Sequence, residues 1–235
     1  MTITVRMARF AAETLVEPAA TAAVASLCGA LPAAGTEAGR RPADIAARWV
    51  ACAALHHANA GGAGRAQAEQ GLAVGLELAL RMLHSLDGQV VGGWDPVCAA
   101  VAVGAATAAA RVDGLGSEAI TRAIGIAATQ ASGLAAVSLS PLGTFQHRRA
   151  ALNGLQAAAL ARAGMTAPGT ALEGRRGLYS LIAPTGDPAG AIERLGERWL
   201  VVERPVPPGQ VPPEGALPGA DLWSAALTYA MEVFS

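Results

Sequence analysis

The chain contains no lysine: all 17 of its basic residues are arginine. A Schiff-base or lysine general-base mechanism therefore has no residue to rest on. Charge of either sign is scarce, at 15% of 235 residues with a net charge of −1, so no basic face is expected for nucleic acid or an anionic membrane. No uninterrupted apolar run reaches the ~18 residues of a membrane span. The stretch Met1 to Arg9 has no apolar h-region and carries Arg6 and Arg9, so neither export nor a span is expected and the location read from the sequence is cytoplasmic.

Cysteine is scarce too. Cys28, Cys52 and Cys98 are odd in number and widely spaced among alanines and valines, as buried small hydrophobes in a reducing compartment would be. None lies in a C-x-x-C or beside a histidine, so no catalytic thiol is expected. The four histidines, His56, His57, His84 and His147, form no H-x-x-x-H or H-E-x-x-H, and no metal centre is expected from them. Gly61-Gly62-Ala63-Gly64 lacks both the strand before it and the lysine after it that a phosphate loop needs. No cofactor is expected.

What is present is small and apolar. Hydrophobic residues are 52% of the chain and aromatics 4%; alanine and glycine dominate, which points to closely packed helices with thin side chains. Two helices are expected over residues 3–30, divided at Glu17-Pro18, where the proline ends one and opens the next. A Gly/Pro/Ala/Arg loop follows from Gly29 to Pro42, then a helix over 43–59. Leu72, Gly75, Leu76, Ala79, Leu80 and Leu83 share one face of a helix over 66–84. Glu77 and Arg81 pair at i, i+4 on its other side, a contact of a few tenths of a kcal/mol.

Asp95-Pro96 opens an alanine- and valine-rich helix over 97–112, with Asp95 as a cap, a ligand-facing carboxylate, or both. A further helix from Ser117 carries Thr129-Gln130-Ala131-Ser132-Gly133, and a second alanine-rich one ends at Gly164. Arg198 to Glu203 reads as a strand, residues 204–219 as a Pro-rich arm, and Asp221 to Phe234 as a closing helix.

Several of these stretches resemble one family. Met7-Ala8-Arg9-Phe10-Ala11-Ala12 is similar to an opening "LARFAA" helix, and Val74 to Ala79 to "VGLEVAAR". Ile124 to Gly133 resembles "GIAGSQASG", and Leu172-Glu173-Gly174 a closing "LEG". Together they resemble the helical domain of the MmgE/PrpD family, relatives of 2-methylcitrate dehydratase and cis-aconitate decarboxylase. The resemblance implies a mostly all-α fold: a helical domain over 1–196, then 197–235 as a remnant strand, arm and helix, with the family's α+β lid largely missing.

The polar residues depart from the family pattern. Its acidic run after a histidine is replaced by alanine and glycine beyond His56-His57, either of which can correspond to that histidine. In its "G-F/W-H-P-T" motif this chain has Trp94, Asp95 and Val97. Aligning Ala150-Ala151 and Gly154 with the family's "A-A-x-x-G" puts Gly143 at its lysine and Gln146 at its histidine. His147 then lies one residue on, about 100° around the helix, and reaches the pocket only if the register shifts. Val206 stands where the family has tyrosine.

Standard 2-methylcitrate dehydratase activity is therefore not expected. The sequence suggests a repurposed, cofactor-independent lyase, isomerase or cyclase acting on a larger, less charged small molecule. Its acid–base candidates are Asp95, His56, His57 and His147, with Gln130, Ser132, Gln146, Trp94 and Arg149 as substrate contacts. Arg148 and Arg149 read either as an anion clamp or as solvated arginines. The alternative is a noncatalytic homologue that binds a ligand or a partner protein. A chain this apolar is expected to form a homodimer or a complex with another protein.

Overall fold

The computed structural model describes residues 1–29, 40–203, 228, 230–232 and 234. Among these there are helices and no strand, in keeping with the all-α expectation. The chain runs α1 (Ile3–Glu13), α2 (Pro18–Gly29), α3 (Pro42–Ala60), α4 (Arg65–Leu86), α5 (Pro96–Val112) and α6 (Ser117–Thr129). A 3-10 turn, Ala135–Val137, leads into α7 (Pro141–Arg162) and α8 (Leu178–Ile182); a second, Pro188–Ile192, precedes α9 (Leu200–Glu203). None of the described helices is long and apolar enough to cross a membrane.

The centre is α5, whose residues are buried almost without exception. It packs against α3, α4, α6 and α7, and its alanines and glycines let neighbouring backbones come close. A Cβ on Gly75 of α4 would stand 2.5 Å from the Gly104 carbonyl oxygen, and one on Gly154 of α7 2.5 Å from that of Ala102. Glycine at both places permits helix contacts that alanine would push apart.

The N-terminal helix is tied to the segment after α7. The Glu173 carboxylate accepts from the Ile3 N–H at 3.0 Å and from the Thr4 hydroxyl at 2.6 Å, while the Thr2 hydroxyl donates to the Gly169 carbonyl at 2.6 Å. The "LEG" segment thus supplies the anion that a helix N-terminus favours.

One expectation fails here and another gains weight. Residues 198–203 do not form a strand; Leu200–Glu203 is helical. The Glu77 carboxylate, completely buried, accepts from the Leu200 and Val201 N–H groups at 3.0 Å each and from Arg81 Nε at 2.7 Å. Arg81 in turn donates to the Glu193 carbonyl at 2.7 Å and to those of Arg194 and Arg198. Bound this way, the backbone of the β-rich Trp199–Val202 run has a helical turn's partners instead of a neighbouring strand. The Glu77–Arg81 pair forms at i, i+4 as expected, but it is buried and so weighs more than the few tenths of a kcal/mol of an exposed helix pair. Residues 30–39 of the expected Gly29–Pro42 loop, the arm over 204–219 and most of the closing helix lie outside the described residues.

Replacing Arg81 with Met would leave the Glu77 carboxylate buried without its cation. We expect a loss of about 3–5 kcal/mol in unfolding free energy, measured by urea titration. A loss below about 1 kcal/mol, the range of a surface pair, would contradict the role given to it.

Candidate functional site

Asp95 occupies the end of α5 where two segments cross. Gly93 to Asp95 runs antiparallel to Gly133–Ala135: the Asp95 N–H donates to the Gly133 carbonyl at 3.1 Å and the Ala135 N–H to that of Gly93 at 2.9 Å. Trp94, half-buried, pairs with Leu134 in that short bridge. With Pro96 filling the first helical position, the Asp95 side chain caps α5 through its Oδ1, which accepts from the Val97 N–H at 2.9 Å.

The other oxygen, Oδ2, gathers three more donors. Gln146 Nε2 and His147 Nε2 each lie 2.8 Å away, and the Ser138 hydroxyl 2.5 Å. Both Gln146 and His147 reach it without a register shift, because the carboxylate sits against α7 between the directions in which these neighbours point. Gln146 also accepts from the Leu134 N–H at 3.0 Å, tying the 133–138 segment to the same group. Gly133 makes the crossing possible: its φ is +122°, and a Cβ there would lie 2.5 Å from the Cys98 sulfur and 3.2 Å from the Asp95 Cβ.

Asp95 is 4% exposed and His147 fully buried. Burial pushes the Asp95 carboxyl up, but the hydrogen bonds from His147, Ser138 and Val97 and the nearness of the imidazole outweigh it, so that it settles below its ordinary value of 3.8. The group is ionised at neutral pH, and four donors occupy the roughly four lone-pair sites of a carboxylate. An oxygen so fully engaged has little capacity left to take a proton from a substrate. What the arrangement does directly is fix an imidazole and clamp two segments onto α5.

The expected constellation is only partly assembled. His57 lies at the other end of α3, with its Nε2 2.7 Å from Asp113 Oδ1, and Arg162 donates to the second Asp113 oxygen at 3.2 Å. The 17 residues of α5, at about 1.5 Å of rise each, put roughly 25 Å between this group and Asp95. His56 stacks edge-on against Phe234 at 5.0 Å and is depressed in pKa by burial and by His57. Neither histidine joins Asp95. Arg149 is exposed and takes no part in the Asp95 hydrogen bonds, and Ser132 is exposed as well.

Gln130 lies elsewhere on α7's flank. It lines a cavity of about 370 Å³ between α6 and α7, with Ile126, Thr129, Asn153, Gln156, Leu160, Met165 and Thr166 among the other walls. Among the described residues that line it, none is charged. Asn153 Nδ2 donates to the Gln130 carbonyl at 3.3 Å, so the segment from Gln130 to Leu134 is pinned along α7 by Asn153 at one end and Gln146 at the other. The sequence reading missed Asn153 and Ser138, which nothing local marked; Cys98, expected as a buried small hydrophobe, is one.

A family model described as the MmgE/PrpD N-terminal domain matches residues 35–190, well over half of the 235-residue chain. No curated protein matches the chain.

Because the Asp95 pKa is lower in the folded chain than in the unfolded one, its contribution to stability is fully present above about 3.8 and is lost as pH falls through the lower folded value. Urea midpoints measured from about pH 5 to about pH 2 should therefore fall less steeply for Asp95→Asn than for the wild type. Parallel curves would contradict the account of the carboxylate.

Proposed function

This chain belongs to the MmgE/PrpD family, and on that premise we propose that it is a small-molecule-binding member without the family's dehydratase chemistry. The observation that carries this reading is the contrast between the two polar places on α7. The carboxylate is closed by its own hydrogen bonds, while the uncharged cavity beside Gln130 is bordered by amides and hydroxyls together with apolar side chains. At about 370 Å³ it falls within the size range of ligand sites. Such walls suit an uncharged molecule with an apolar body and a few hydrogen-bonding groups. A tricarboxylate would lose its hydration there without gaining a cation.

A second reading keeps catalysis, as a lyase, isomerase or cyclase working through Asp95 and His147. In its favour is an ionised carboxylate holding an imidazole at 2.8 Å, the relation that orients a histidine for acid–base work. It requires the 133–140 segment to move aside for substrate, since both groups are buried. That segment and the start of α7 expose Leu134, Leu139, Leu142 and Phe145 at 54–70%. An apolar rim of this kind supports association with a second chain, as a homodimer or with another protein.

A thermal-shift series with neutral lactones and hydroxylated ketones against tricarboxylates, with sedimentation on the same samples, separates the readings. Neutral compounds should raise the melting temperature and tricarboxylates should not. Gln156→Ala should weaken the effective ligand about fivefold, the value of one hydrogen bond. Preferential binding of tricarboxylates would sink the proposal. Solvent deuterium entering a ligand in the wild type but not in His147→Gln would move it to the catalytic reading, and a single species at monomer mass would remove the association.

A further inference from the structure

We propose that Asp95, Cys98 and His147 form a binding site for one transition-metal ion of the zinc class. Their donor atoms, a carboxylate oxygen, a thiol sulfur and an imidazole nitrogen, all lie within 4.8 Å of one another. Each residue is buried, with Cys98 and His147 fully so and Asp95 at 4% exposure. The site draws on two rigid elements. Asp95 and Cys98 are i, i+3 at the start of α5 and so share a helix face; His147 comes from the early turns of α7, which packs against α5.

The donor set selects the ion. Thiolate and imidazole together favour zinc and its neighbours over magnesium or calcium, which take oxygen ligands. Zinc bonds of about 2.0–2.3 Å place tetrahedral ligand atoms about 3.3–3.8 Å apart. Small side-chain rotations reach that spacing: the Asp95–His147 contact opens by about half an ångström and the widest separation closes by about one. The contacts around Asp95 then take on a supporting role. Ser138, Gln146 and the Val97 N–H hold the carboxylate while one of its lone pairs turns to the ion, the arrangement that fixes metal-binding carboxylates elsewhere.

Proton balance is simple. The ion replaces the hydrogen bond between His147 and Asp95. Cys98 releases its thiol proton to solvent, and a neutral His147 binds through Nε2 with its single ring proton on Nδ1. Three protein ligands leave the fourth position for water. The proposal stands apart from the cavity beside Gln130 and does not depend on whether that cavity binds anything.

The test is a Co²⁺ titration of the full chain after dialysis against chelator. We expect one equivalent to produce the visible bands of tetrahedral cobalt and a thiolate-to-cobalt charge-transfer band in the near ultraviolet. Cys98→Ser should abolish the charge-transfer band, and Cys52→Ser should leave both features intact. Gln146→Ala should keep the bands while weakening Co²⁺ binding about 10- to 100-fold, as loss of a supporting hydrogen bond does. If Cys98→Ser fails to fold, the Gln146→Ala affinity decides instead. No bands in the wild type, a charge-transfer band retained by folded Cys98→Ser, or unchanged affinity in Gln146→Ala would each overturn the site.

Discussion

The close approach of helix backbones around α5 is the constraint on which the rest of the structure depends. Gly75 and Gly154 bring α4 and α7 against carbonyls of α5, and almost every α5 side chain is small and enclosed. Helices this near leave no slack for polar groups at the seams. Whatever polar residue lies there must be matched by its neighbours. Asp95 at the start of α5 and Glu77 on α4 both obey that rule. Each is a buried carboxylate, and each organises a segment that otherwise has little regular structure: 133–138 in one case, 193–201 in the other.

The same close packing governs the start of α7. The resemblance implies a pocket with lysine and histidine on the second alanine-rich helix. Here Gly143 and Gln146 stand at those positions, and Gly143 is pressed against the Ser138 backbone, where a Cβ would lie 2.3 Å from the carbonyl oxygen. No larger side chain fits at that point without moving the 3-10 turn. Gln146 has become a tie between Asp95 and Leu134. The two residues are consistent with one another in the structure: Gly143 lets the 133–138 segment lie against α7, and Gln146 holds it there together with Asp95.

Much of the fold was readable beforehand. Prolines at 18, 42 and 96 stand at the first positions of their helices, and the 3.6-residue pattern over 66–84 marked the apolar face of α4. The Asp95 cap was readable because Asp-Pro before an apolar run has one local explanation. Arg198–Glu203 misled because β-branched residues state a local preference, whereas its conformation is set by Glu77, more than a hundred residues away in sequence. For the same reason the Glu77–Arg81 pair was given too little weight, since its burial comes from residues 193–201. The site was the least readable part. His56 and His57 were grouped with Asp95 because the resemblance lets either stand for the family's histidine, and only the parallel course of α3 and α5 shows them to lie at opposite ends. His147 was given access only through a register shift by counting helix angle, which is correct for one target but not for a carboxylate lodged between two neighbours.

The central claim is that Asp95 holds the 133–147 segment closed on α5. Amide hydrogen exchange of the wild type and Asp95→Ala, resolved along that segment, tests it most directly. The account predicts protection of the Leu134 and Ala135 amides in the wild type and faster exchange in the variant, confined to 133–147 and the first turn of α5. Rapid exchange there in the wild type, or an unchanged pattern in the variant, would contradict it.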